Sequence, residues 1–165
     1  MEGATLRRVR VREPASKRRL RLWLRLFAAT SVIEREMRRF LRQRCGTTLP
    51  RFDLMAALQR SPAGLTMGEL SRRLMVSGGN VTSVVTGLDR DGLVCRRSPA
   101  SDRRTSYVAL TEQGRAAFAD MAREHERWID QLIAEVVDED IDALTDLLAD
   151  VKHRAEAGAE AGRVR

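Results

Sequence analysis

Apolar residues recur at three- and four-residue intervals in six stretches of the chain, and turn-forming residues separate these stretches. The first stretch, residues 17–45, predicts one long amphipathic helix, which the Gly-Thr-Thr-Leu-Pro sequence at 46–50 ends. Phe52, Leu54, Met55 and Leu58 indicate a second helix, which ends at residues 61–64, Ser-Pro-Ala-Gly. The first two predicted elements are therefore helices.

Two short helices follow. Thr66 is the expected N-cap of the first, residues 66–75, and Glu69 three positions later completes a capping box. Ser77 is the expected N-cap of the second, whose apolar side comprises Val81, Val84, Val85 and Leu88. Its other side carries polar residues and glycines, so one face of this helix is predicted to be buried and the other exposed.

The pattern then changes to two strands, at 93–97 and 105–110, and a turn at 98–104 that contains Pro99 and Asp102 joins them. A long helix starts near residue 111 and carries apolar positions from Phe118 to Val136. A final helix has the acidic residues 138–140 at its start and apolar positions from Ile141 to Val151. The last ten residues, 156–165, are expected to be frayed.

These elements predict a mainly α fold with a small β-wing, a winged helix-turn-helix between long N- and C-terminal helices. Residues 1–16 are expected to form a flexible basic arm, and 49–110 the winged helix-turn-helix. The apolar stripes within 17–48 and 111–155 are too extensive for one small core. They therefore favour dimerisation through a second copy of the chain over packing within one chain.

Charge and cysteine content narrow the class of protein. The net charge of +7 divides into +10 over residues 1–44, +4 over 45–110 and −7 over 111–165, so the basic front is expected to attract phosphate. The chain has two cysteines, which favour a reducing cytoplasm. No apolar run approaches the roughly 18 residues of a membrane span, and no signal peptide is recognised, so a cytoplasmic protein is expected.

Four motifs accompany the predicted elements: Leu49-Pro50-Arg51-Phe52-Asp53-Leu54, Leu70-Ser71-Arg72-Arg73-Leu74, Val81-Thr82 with Leu88, and Asp102-Arg103-Arg104 leading to Leu110-Thr111-Glu112-Gln113-Gly114. With these motifs, residues 20–151 resemble the MarR family of bacterial transcriptional regulators. The resemblance implies a symmetric homodimer whose two reading helices lie roughly 34 Å apart, one turn of duplex DNA. The expected partner is a palindromic double-stranded operator, and the expected activity is repression.

The resemblance also implies which residues contact DNA. The wing is expected to use Asp102 to brace an arginine, with Arg104 in the narrow groove and Arg103 on phosphate. Asn80 is expected to pair with adenine, or else to hydrogen-bond to local backbone. The remaining expected contacts are Arg72, Arg73, Ser77, Gly78, Gly79, Thr82 and Ser83. For Arg72 and Arg73, exposure to solvent without a DNA contact is the alternative.

Many members of the family release DNA when a small, often aromatic, anion binds. The residues expected either to line such a site or to pack in the core are Trp23, Phe27, Phe52, Met55 and His125. Likeness to regulators of aromatic-acid catabolism suggests an aromatic acid or its CoA thioester as the effector. Peroxide sensing through Cys45 or Cys95 is the alternative, with Cys45 the better candidate because Arg42 and Arg44 are close in sequence.

Other classes of protein are less consistent with the sequence. It contains no nucleophile elbow, no phosphate-binding loop and no His pair at metal-ligand spacing, so neither catalysis nor a cofactor or metal is expected. A non-specific architectural DNA-binding protein remains an alternative, since the same arginines would serve it.

Overall fold

The computed structural model describes residues 14–97 and 106–163. Its elements in chain order are α1 (Ala15–Arg44), α2 (Leu49–Gln59), β1 (Leu65–Thr66), α3 (Met67–Leu74), α4 (Gly78–Arg90), β2 (Val94–Arg97), β3 (Tyr107–Leu110), α5 (Glu112–Ile133) and α6 (Asp138–Arg163). The chain divides into two compact units, one ending at Phe118 and the other beginning at Ala119. The predicted mainly α fold with a small sheet is confirmed.

The apolar core of the first unit lies among α2, α3, α4 and the sheet. The four apolar residues from which α2 was predicted are all buried, because α2 has neighbours on several sides. The core consists of Leu41, Phe52, Leu54, Met55, Ala57, Leu58, Leu65, Leu70, Val81, Val85, Leu88, Val94, Val108, Ala109 and Leu110.

The sheet is antiparallel with strand order β1-β3-β2. β2 and β3 are the two predicted strands, and Cys95 lies opposite Ala109. β1 was not predicted, because its two residues become a strand only through pairing with β3, where Leu65 lies opposite Val108. This third strand attaches the start of α3 to the sheet.

Local hydrogen bonds fix the start of α3, and a residue in the left-handed region ends it before the turn to α4. The predicted capping box is present: Glu69 N–H donates to Thr66 Oγ1 at 3.2 Å, and Thr66 N–H donates to Glu69 Oε2 at 2.8 Å. Met75 ends α3 in the left-handed region, with φ 53°. Ser77 is the N-cap residue of α4, but its side chain accepts no capping hydrogen bond, contrary to expectation. Its carbonyl accepts instead, from the Asn80 and Val81 N–H groups.

A second junction joins the end of α4 to the start of α5. Thr111 Oγ1 donates to the Gly92 carbonyl at 2.7 Å and accepts from Gly114 N–H at 2.9 Å. The Thr111 N–H donates to the Leu93 carbonyl. A Cβ at Gly114 would lie 1.9 Å from the Leu93 carbonyl oxygen, so only glycine permits this close approach.

The terminal helices are longer than their sequence patterns indicate. α1 begins at Ala15, inside the segment expected to be a flexible arm, with Pro14 at its N-cap position. α6 continues to Arg163, so residues 156–163, for which fraying was expected, are helical in the structure. Alanine and glutamate in this segment are strong helix formers and favour the helix, while Gly158 and Gly162 oppose it.

Candidate nucleic-acid interface

α4 presents a polar face to solvent at its N-terminal end. Val81, Val85 and Leu88 are buried on the opposite face, as predicted, and hold the helix against the core. The exposed set comprises Ser77, Gly78, Gly79, Asn80, Thr82, Ser83 and Thr86. These six predicted contacts and Thr86 are therefore brought together on one accessible surface.

The polar side chains on this surface differ in their availability. Thr82 Oγ1 donates to the Gly78 carbonyl at 2.9 Å, a local bond within the helix. Asn80 makes no side-chain hydrogen bond to the rest of the described chain, so the alternative of a local backbone bond does not apply to it there. Its amide is free to act as both donor and acceptor toward an external group.

α3 adds two exposed arginines, Arg72 and Arg73, in its last turn. Arg73 Nη1 donates to Ser61 Oγ at 2.9 Å, which orients its guanidinium toward the turn after α2. Arg72 lies at the surface beside Glu69. Two cations therefore lie on the helix that precedes α4.

The wing prediction is described only in part. Asp102, Arg103 and Arg104 lie outside the described residues. Arg96 and Arg97 are exposed at the end of β2, the strand that leads to them.

An ion pair fixes the other end of α4. Arg51 in α2 donates from Nη2 to Asp91 Oδ2 at 2.6 Å, and this hydrogen bond lowers the pKa of the Asp91 carboxyl. The Arg51 guanidinium also passes Gly87, whose added Cβ would lie 3.5 Å from Nη1. The pair thus connects α2 directly to the C-terminal end of α4.

A cleft of about 280 Å³ opens beside the N-terminal half of α4. Its polar residues come from three helices: Glu34 and Arg38 from α1, Asp53 from α2 and Asn80 from α4. The apolar lining consists of Leu49, Pro50, Leu54, Leu74, Val76, Val81 and Val84. A molecule bound there would contact α1, α2 and α4 at the same time.

The residues expected at an effector site are distributed differently. Trp23 and Phe27 stack on each other along α1 with ring centroids 5.9 Å apart, and both are exposed. Phe52 and Met55 are in the core, where Phe52 packs against Phe118 at 5.5 Å. His125 lies in the second unit, 6.1 Å from Trp128, and burial lowers its pKa. None of these five residues lines the cleft.

Both cysteines are half-buried. Cys95 lies in β2 and Cys45 follows the last residue of α1.

Sequence reasoning missed the Arg51–Asp91 pair and three polar residues of the cleft, Glu34, Arg38 and Asp53. The two partners of the pair are 40 residues apart, so no local spacing indicates them. Asp53 had a usable signal, since it is a carboxylate between two large apolar residues, Phe52 and Leu54, on a predicted helix.

Comparison with known proteins gives consistent results. A family model described as the MarR family matches residues 46–105. The chain is 30% identical over 105 residues to the transcriptional activatory protein BadR of Rhodopseudomonas palustris, which covers 62% of this chain and 59% of BadR. It is 29% identical over 93 residues to the homoprotocatechuate degradative operon repressor of Escherichia coli, which covers 56% and 62%. The chain thus spans about three fifths of the length of these curated relatives.

Solved structures extend the likeness over more of the chain. A MarR family transcriptional regulator from Silicibacter pomeroyi has 30% identity and a TM-score of 0.74, with 87% of this chain and 99% of that chain covered. Streptococcus pneumoniae FabT, solved in complex with DNA, shares the fold at 22% identity and a TM-score of 0.70, covering 84% and 97%.

Proposed function

Because the chain belongs to the MarR family, we propose that it is a sequence-specific transcriptional regulator that binds double-stranded DNA. The exposed polar face of α4 carries this proposal. A helix held at its C-terminal end by Arg51 and presenting Asn80 near its N-terminus suits insertion into the major groove. The similarly folded FabT has been solved with DNA, which supports this use of the fold.

The proposed contacts fall into two groups. Asn80, Ser83 and the free hydrogen-bonding edge of Thr82 read bases, while Gly78 and Gly79 allow the helix backbone to approach closely. Arg72 and Arg73 on α3 and, at the wing, Arg103 hold phosphate, and Arg104 enters the narrow groove beside Asp102. The phosphate contacts position the protein, and the base contacts give it specificity.

We propose that two copies assemble through the exposed apolar residues of the terminal helices. On α1, Trp23 and Phe27 are 58% and 63% exposed within one chain. Exposing these apolar side chains to water is unfavourable in free energy, and burial against a second copy would remove that cost. The other exposed apolar residues of these helices include Leu20, Leu24, Ile33, Leu132, Leu144, Leu147, Leu148 and Val151. A symmetric dimer then requires a palindromic operator.

The dimer proposal is tested by light scattering. Phe27→Glu places a charge in the α1 stripe and is expected to convert dimers to monomers. Met75→Glu is the matched control, because Met75 is 84% exposed but lies in the turn between α3 and α4. Monomers in the unaltered protein at working concentration would contradict the proposal.

The regulated state is proposed to depend on a small molecule in the cleft beside α4. Such a molecule would contact Arg38 on α1 and Asn80 on the reading helix, so its binding would favour one position of α4. Release from the operator follows if that position does not fit the DNA. The aromatic acid and the CoA thioester predicted from the sequence are the two effector classes to compare.

DNA binding is tested by footprinting upstream of the protein's own gene, followed by fluorescence anisotropy on the protected sequence and a scrambled version. Specific binding is expected to be roughly 1,000-fold or more tighter than binding to the scrambled duplex at physiological salt. Equal affinities that fall alike with salt would identify an architectural protein instead. Asn80→Ala should lower only the specific affinity, whereas Gln59→Ala, an exposed amide at the end of α2, should change neither.

A further inference from the structure

Arg73 is held by a hydroxyl group. Its Nη1 donates to Ser61 Oγ at 2.9 Å, and Ser61 lies in the turn that joins α2 to β1. Within the described ranges, Arg73 forms no ion pair with an acidic side chain. A serine hydroxyl carries no charge, so this hydrogen bond orients the guanidinium without neutralising it.

Glu69 is the carboxylate best placed in sequence to pair with Arg73. It precedes Arg73 by four residues on α3, the spacing and order at which a glutamate and a cation pair best on a helix. Glu69 Oε2 instead accepts from the Thr66 N–H and from Thr66 Oγ1, both at 2.8 Å. These hydrogen bonds lower the pKa of Glu69, so this carboxylate stays charged while it is bonded to the start of α3.

The turn that carries Ser61 is held against the sheet. Ser61 N–H donates to the Leu58 carbonyl at 2.9 Å, and Gly64 N–H donates to the Ser61 carbonyl at 2.8 Å. Gly64 has φ +92°, and a Cβ there would lie 2.8 Å from the Val108 carbonyl oxygen in β3. Only glycine permits this close approach, so Ser61 gives Arg73 an acceptor in a fixed position.

A fixed acceptor favours phosphate binding by an arginine. A loose arginine loses rotamer freedom when it binds, whereas a guanidinium already held by one N–H loses less. The guanidinium carries five N–H donors, of which the bond to Ser61 uses one. The Arg73 side chain is exposed, so its other donors can reach a phosphate.

We propose that Ser61 is a positioning residue for DNA binding: its hydroxyl holds the Arg73 guanidinium away from Glu69 and keeps it available to a DNA phosphate. The assignment rests on the proposed function, in which Arg73 is a phosphate contact. Ser61 itself touches no DNA, so its effect on affinity passes through Arg73.

The test measures binding of the full chain to the operator and to a scrambled duplex by fluorescence anisotropy across a salt series. Ser61→Ala is expected to weaken binding to both duplexes roughly threefold to tenfold, because Arg73 must then be ordered on binding and phosphate contacts carry no sequence information. Arg73→Ala should weaken binding at least as much and reduce the salt dependence by about one phosphate contact.

Two single variants serve as comparisons. Ser61→Thr keeps the hydroxyl and should retain most of the affinity. Ser31→Ala is the matched control, since the Ser31 hydroxyl is exposed and donates to the Phe27 carbonyl within α1. It should leave both affinities unchanged.

Double variants separate positioning from a structural role. Ser61→Ala combined with Arg73→Ala should bind no more weakly than Arg73→Ala alone, because Ser61 then has no guanidinium to position. Glu69→Gln keeps a side chain suited to the capping box but removes the competing charge. It should therefore raise affinity more in the Ser61→Ala background than in the unaltered protein.

Three results would overturn the proposal: Ser61→Ala binding as tightly as the unaltered protein, additive losses in the Ser61→Ala/Arg73→Ala variant, or an equal gain from Glu69→Gln in both backgrounds. Unchanged binding by Arg73→Ala would contradict the phosphate contact and overturn the proposal with it. Equal affinity of the unaltered protein for operator and scrambled DNA would contradict only the proposed sequence specificity, because phosphate is present in either duplex. The two failures are therefore distinguishable.

Discussion

Arg51 in α2 and Asp91 at the end of α4 are joined by a hydrogen-bonded ion pair of 2.6 Å between Nη2 and Oδ2. Their side chains are 23% and 39% exposed, so the pair is only partly screened by water. The contact fixes the C-terminal end of α4, while the cleft lies beside its N-terminal half. α4 is therefore attached to α2 at its C-terminal end, and a molecule bound in the cleft would contact its N-terminal half.

Arg51→Ala is expected to lower the melting temperature and to weaken operator binding roughly severalfold, because α4 loses its attachment to α2. Arg51→Lys should recover part of the affinity. Arg90→Ala is the control for stability, since Arg90 is 3.6 Å from the same carboxylate but 80% exposed. Equal melting temperatures for Arg51→Ala and Arg90→Ala would show that the pair does not hold the helix.

The same pair predicts a pH dependence. The hydrogen bond from Arg51 lowers the pKa of Asp91. The pair therefore contributes its full stabilisation of the folded state above the ordinary pKa of 3.8, and this stabilisation is lost as pH falls through the lower pKa of the folded protein. The difference in unfolding free energy between Arg51→Ala and the unaltered protein should therefore shrink below pH 3.8. Urea titrations at neutral and acidic pH measure it, and a constant difference would contradict the assignment.

Thr66→Ala should reduce the free energy of unfolding by about 1 kcal/mol, because it removes one half of the capping box at the start of α3. Ser77→Ala is the matched control, since Ser77 occupies the N-cap position of α4 without a side-chain capping bond. Urea unfolding of both variants makes the comparison. A larger loss for Ser77→Ala than for Thr66→Ala would be inconsistent with these hydrogen bonds.

Gly114→Ala should destabilise the protein by about 1–3 kcal/mol or more, because the new Cβ would require the α5 start and the Leu93 carbonyl to separate. Gly68→Ala is the control: its Cβ would meet nothing within 4 Å, so the added helix propensity should keep or raise stability. Thermal unfolding distinguishes the two. A neutral Gly114→Ala would mean that this junction is looser than its geometry indicates.

Arg104→Ala is expected to weaken operator binding greatly, roughly tenfold or more, while light scattering still finds dimers. Arg103→Ala should weaken binding to all sequences alike and reduce the salt dependence by about one phosphate contact. Anisotropy at several salt concentrations separates the two roles. Unchanged affinity for Arg104→Ala would contradict the proposed wing contact.

The sequence predicted what depends on neighbouring residues. The capping box at Thr66 and Glu69 is contained in four residues, and the buried face of α4 follows from helical periodicity, so both could be read directly. The strand β1 could not be predicted, since two residues have no strand periodicity of their own. Ser77 occupies the predicted N-cap position, but its side chain makes no capping hydrogen bond, because residue type allows a cap without orienting the side chain.

The sequence by itself determined the order of the elements, the apolar face of each helix and the family to which the chain belongs, because these depend on residue type and spacing along one segment. Only the tertiary structure decided that Arg51 reaches Asp91 and that Glu34, Arg38 and Asp53 share a cleft with Asn80. These contacts join segments that are far apart in sequence. Their distances depend on how helices pack in three dimensions, which no local pattern of residues encodes.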